Sequence, residues 1–97
     1  MKLTATTTST SLYDLIQTAD STAIAKIEKK KIWNELNWMY GVEIKRASSD
    51  IYVETILNEA DTDSRPVDST TPIMSFNCQS LHDIFIYWEG DFYISIV

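Results

Sequence analysis

Hydrophobic positions along this chain fall mostly into short runs with a period of two, the spacing of a strand with one face in a core. Leu3, Ala5 and Thr7 alternate with polar neighbours, so residues 1–10 read as an edge strand or an extended N-terminal arm. Val42, Ile44 and then Ala47 alternate with Glu43 and Lys45, and the β-branched run IYVETI at 51–56 follows a turn of Ser48, Ser49 and Asp50. After Pro72, which biases Thr71 towards extended geometry, Met74, Phe76 and Cys78 form an apolar face opposed by Ile73, Ser75 and Asn77.

The last segment carries the densest signal. Residues 84–88 and 92–97 are apolar runs joined by Glu89, Gly90 and Asp91, the pattern expected of a β-hairpin. Alternation puts Ile84, Ile86 and Trp88 on one face of it and Phe85 and Tyr87 on the other. In the returning run Phe92, Ile94 and Ile96 share a face, with Tyr93 opposite.

Three stretches break the period of two. Ser11 ahead of Leu12, Tyr13, Leu15 and Ile16, with Asp14 three residues on, predicts an N-cap and one short N-terminal helix. Residues 24–38 are ambiguous. Ile24, Ile27, Ile32, Trp33, Leu36 and Trp38 fit two short strands around a Lys-rich turn, or a helix from about residue 24 to 36. Residues 58–71 read as one long polar surface loop.

Many short strands, one short helix and no βαβ alternation predict a mainly β fold. The expected architecture is a small antiparallel β-sandwich or jelly-roll-like domain spanning residues 11–97 behind the segment 1–10. The 97 residues suffice for one core and not for two.

Charge narrows the function classes. Lys and Arg total 8 against 14 Asp and Glu, a net charge of −6, so the chain repels phosphate backbones and nucleic-acid partners are not expected. Lys29, Lys30 and Lys31 read as a solvated loop or edge, with a local contact for an acidic partner as the alternative. The single Cys78 excludes an intramolecular disulfide. No window has the apolar length of a membrane span or a signal-peptide core, so a soluble protein without membrane partners is expected.

Candidate chemistry is sparse. His82, the one histidine, lies between Leu81 and Asp83 in an expected turn and has no evident nucleophile to serve. One Cys and one His cannot build a structural zinc site. Asp61 and Asp63 resemble the start of a calcium loop without its Gly and Glu, leaving Asp61, Asp63 and Asp68 to bind an ion only jointly with a neighbour. Gly41 and Gly90, the only glycines, build no phosphate-cradling loop. The expectation is therefore no enzyme, no cofactor and no catalytic residue.

The aromatic residues are the remaining candidates. Trp33, Trp38, Tyr40, Tyr52, Tyr87, Trp88 and Tyr93 could serve as core, as a protein interface or as a sugar-stacking platform. A terminal hairpin with large apolar groups on both faces needs cover on both, and a domain this small has little material for the second face unless the helix near Leu12 supplies it. On that argument Trp33, Trp38, Tyr52, Phe85, Tyr87 and Tyr93 are expected to form an interface with other chains.

The succession KLTATTT, SLYDLI, GVEIK, DIYVE, an acidic polar loop, a strand ending in Phe76, LHDIFIY and FYISIV resembles the small β-sandwich structural proteins of tailed-bacteriophage virions over most of the chain. It departs from them in carrying NEADTDSRPVD where they have a Gly- and Ala-rich loop. The resemblance implies a non-enzymatic virion protein, assembled in the host cytoplasm. Capsid decoration is the leading role, with a minor head, connector or tail part also implied. Other virion proteins, capsid protein or copies of itself or both, would be its partners. Two other classes fit the residues: a tail or fibre receptor or carbohydrate-binding module using the aromatic rings, and a small acidic host-directed regulator.

Overall fold

A computed structural model describes residues 1–29, 32–33, 38–56 and 64–96. Its elements in chain order are β1 (Lys2–Ala5), β2 (Thr10–Ser11), α1 (Leu12–Ala19), α2 (Ala23–Glu28), β3 (Ile32–Trp33), β4 (Trp38–Arg46), β5 (Ile51–Thr55), β6 (Arg65–Val67), β7 (Ile73–Cys78), β8 (Ile84–Tyr87) and β9 (Gly90–Ile96). A 3-10 turn, Leu81–Asp83, precedes β8.

The strands form two antiparallel sheets. In the first, β9 lies between β1 and β4, and β4 also pairs with β7 and, at its start, with β3. The second has the order β2-β8-β5-β6. The main orders, β1-β9-β4-β7 and β2-β8-β5-β6, match position by position. Each strand of one sheet has its chain neighbour at the same place in the other, which is the strand order of a jelly roll. Four links, residues 6–9, 47–50, 68–72 and 88–89, therefore carry the chain between sheets at one end of the sandwich.

Alternation explains the core. Leu3 and Ala5, Val42 and Ile44, Ile51 and Val53, Ile84 and Ile86, and Phe92, Ile94 and Ile96 are buried at every second position, and on β7 Met74 and Cys78 are buried with Phe76 half-buried between them. Thr55 is also buried, so β5 keeps its period to the end. The first residues take the edge-strand form. Leu3 pairs with Phe92, and the Met1 amine donates to the Ile94 carbonyl at 3.1 Å while Ile94 N–H donates to the Met1 carbonyl at 2.9 Å.

Helix α1 starts as its sequence dictates. The Ser11 hydroxyl accepts from the Asp14 N–H at 3.1 Å, and Leu12 and Ile16, four apart, are buried together. The helix packs on β1, β2, β8 and the 3-10 turn. Helix α2 buries Ala23 and Ile27, again four apart. Its Glu28 accepts a hydrogen bond from the hydroxyl of Tyr40, which is only 2% exposed.

Several expectations need correction. The two terminal runs are not a hairpin. Strand β8 pairs with β2 and β5 in one sheet and β9 with β1 and β4 in the other, so residues 88–89 turn a corner of the sandwich. Trp88 consequently does not share the buried face of Ile84 and Ile86. It has a φ of 68° and is 44% exposed. There are two helices and not one among the described residues, because the four-residue spacing of Ala23 and Ile27 wins locally and β3 begins only at Ile32. The polar segment 58–71 is not wholly loop, since Arg65–Val67 pairs with β5 as the edge strand β6.

Candidate protein interface

The outward faces of the two sheets differ in chemistry. On the β2-β8-β5-β6 sheet, Tyr52 pairs across strands with Tyr87 on one side and Pro66 on the other, so the three share a row. Glu54 and Ser11 both pair with Phe85 in the next row. The Tyr52 and Tyr87 rings lie 5.0 Å apart, tilted by 30°, and Trp88 lies 5.3 Å from Tyr52 at 60°. Offset and tilted rings at such separations attract one another by about 0.5–1.5 kcal/mol per pair beyond area burial. Tyr52, Phe85 and Tyr87 are half-buried. The result is a continuous aromatic surface with one carboxylate, Glu54, set into it. Burial, then the Glu54 charge and Tyr52, push the Tyr87 hydroxyl above its ordinary value.

The corner at residues 88–89 fixes the edge of this surface. A tryptophan at positive φ is sterically disfavoured, since its Cβ comes too close to the following carbonyl oxygen. Two residues on, Gly90 lies against the 47–50 link, where an added Cβ would come within 2.7 Å of the Ser49 Cβ. Two corners are thus packed at closer range than any side chain at residue 90 permits. The 47–50 link is itself held by Arg46, whose Nε donates to Asp50 Oδ1 at 2.9 Å.

The outward face of the other sheet is largely polar. One row crosses it: Lys2 on β1, Tyr93 on β9, Lys45 on β4 and Ile73 on β7. Tyr93 and Ile73 are each 45% exposed. Lys2 Nζ lies 3.3 Å from Asp91, which also accepts from the Thr4 hydroxyl at 2.7 Å.

Of the residues expected at an interface, Tyr52, Phe85 and Tyr87 are brought together on one face, whereas Tyr93 lies on the opposite sheet. Trp33 and Trp38 are register partners of β3 and β4 through their backbones, and their side chains lie outside what is described. Tyr40 belongs to the core. Pro66, Glu54 and Trp88 were not singled out as interface residues. For the last, the sequence signal was a Trp two residues before the glycine of a turn; the other two required knowing which strands pair.

Asp61 and Asp63 lie outside the described residues. Asp68 is engaged in a turn, its Oδ1 accepting from the N–H groups of Thr70 and Thr71 at 3.0 and 2.9 Å. Among the described residues no group of three or more His, Cys, Asp or Glu could hold a metal, and no helix is long and apolar enough to cross a membrane. His82 is exposed in the 3-10 turn with its ring stacked on Tyr13 at 4.1 Å. A hollow of about 460 Å³ between α2 and β9 is lined by Met1, Ala23, Ile27, Ile94, Ser95 and Ile96 with Asp20 and Lys26. Comparisons with protein-family models, with curated proteins and with solved structures find no match.

Proposed function

We propose that this chain is a non-catalytic structural protein that docks onto other protein surfaces through the aromatic face of its β2-β8-β5-β6 sheet, and that it does so in a tailed-phage virion, with capsid decoration as the leading role. The observation that carries the docking reading is Trp88. Its backbone is held in a conformation that bulky residues avoid, and its ring stands 44% exposed beside Tyr52. Strain of this kind persists where the surroundings over-determine it, and it concentrates at sites of function. A rigid aromatic patch with little rotamer entropy to lose is also what protein interfaces favour at their centres.

The virion reading rests on the order of sequence elements described above and is compatible with the jelly-roll architecture, which capsid proteins share with lectins and enzymes. Cosedimentation with tailed-phage shells and tails lacking the protein tests it. The wild-type chain should bind, and Tyr52→Ser with Tyr87→Ser should abolish binding while leaving the far-ultraviolet circular dichroism intact. A wild-type chain that ignores particles, with tryptophan fluorescence that responds to oligosaccharides, would overturn it in favour of a sugar-binding module.

A further inference from the structure

The two outward faces of the sandwich are complementary. One carries Tyr52, Tyr87, Phe85 and Trp88 around the Glu54 carboxylate. The other carries the row Lys2, Tyr93, Lys45 and Ile73, in which exposed apolar groups alternate with cations. Among the described residues neither Lys45 nor Glu54 takes part in a salt bridge. The cation of one face and the carboxylate of the other, neither of them in an ion pair among the described residues, make a second copy of the chain the occupant whose charge fits the aromatic face.

We infer that the aromatic face of one molecule receives the Lys2–Tyr93–Lys45–Ile73 row of the next, with Lys45 set against Glu54 and the neighbouring rings. This rests on the docking reading above and names the occupant of that face. Lysine over a tyrosine or tryptophan ring, with a carboxylate beside it, combines cation–π and ionic attraction. With Cα extents of 36 × 32 × 20 Å, the broad faces can hold the roughly 800 Å² per partner of a standard interface. Because unlike faces meet, the contact is heterologous and builds rings or filaments by repetition, in contrast to a two-fold dimer.

Sedimentation velocity of the whole chain over a concentration series tests this. Concentration-dependent oligomers are expected. Lys45→Glu and Glu54→Lys should each weaken assembly by at least about tenfold, since each sets like charges against one another. An equimolar mixture of the two variants should restore assembly, because each supplies the face that the other lacks. A monomer at every concentration overturns the inference. So does an oligomer indifferent to Lys45→Glu, as a contact between two aromatic faces would be, and so does a mixture that fails to reassemble. Particle binding scored in parallel separates the two readings: a monomer that still binds shells through Tyr52 and Tyr87 ends the stacking inference and keeps the docking one.

Discussion

At Trp88 the backbone and the side chain have opposed preferences. The φ of 68° belongs to the region that glycine enters freely, and a bulky residue held there costs about 1–3 kcal/mol. The ring recovers part of this against Tyr52. Trp88→Gly should therefore keep or raise the thermal midpoint while weakening docking to particles or to other copies. Thermal melts followed by circular dichroism, alongside cosedimentation, check both halves. A clear fall in the midpoint would mean that the ring serves the fold more than it serves a partner. Alternation placed Ile84 and Ile86 correctly and misplaced Trp88, because a period of two holds only while the strand continues. Nothing in the sequence marks where a corner replaces the next strand position, although Gly90, two residues on, signals that a turn is near.

At the scale of elements, aspartates fasten the connections. Asp20 accepts from the Thr22 hydroxyl and N–H after α1, Asp68 from Thr70 and Thr71 before β7, and Asp91 from the Thr4 hydroxyl across β9 and β1. All three carboxyls are held below their ordinary value, chiefly by the Thr22 hydroxyl, the Thr71 N–H and the Thr4 hydroxyl respectively. The unfolded chain therefore takes up these protons at higher pH than the folded one. Their contribution is fully present above the unfolded carboxylate value of about 3.9 and is lost as pH falls through the lowered folded values. Asp68→Asn keeps an acceptor in the turn but removes its titration. It should lower the urea midpoint slightly at neutral pH, where the carboxylate's contribution is fully present, and make the decline below about pH 4 shallower. Equal slopes for the two proteins would show that Asp68 is no part of the acid response.

Elements were legible wherever one local rule acted alone. Ser11 and Asp14 announced α1, and Met74 and Cys78 announced the buried face of β7. Strand β6 was hidden because three residues, one of them Pro66, show no period, and it exists only as an edge against β5. Helix α2 was obscured by lysines next to its Ala23 and Ile27 spacing. The aromatic face was half legible: Tyr52, Phe85 and Tyr87 could be nominated from alternation, but Pro66 and Glu54 join them through cross-strand register alone.

For the whole molecule, what sequence could not supply was the identity of each strand's neighbour. An apolar run, a Gly turn and a second apolar run describe a hairpin and a sandwich corner equally well, since both satisfy the same local alternation. The pairing of β1 with β9 decides the architecture, and it joins the first residues of the chain to the last. Leu3 lies against Phe92 in that register, and Ile94 closes on Met1. Both sheets share one core through these residues, so the sandwich should unfold as a unit, and contacts between such distant segments should make folding slow, on the order of milliseconds to seconds. Leu3→Ala, which empties a site 2% exposed, should lower stability by about 2–5 kcal/mol, and Ile94→Asp, which places a charge at a site 3% exposed, should prevent folding altogether. Urea titrations read by tryptophan fluorescence and by far-ultraviolet circular dichroism should coincide for the wild type and for Leu3→Ala, with the midpoint of the variant lower. If Leu3→Ala left the midpoint where it was, residues 1–10 would be an arm lying on a finished domain, and β9 would have to close the core without them.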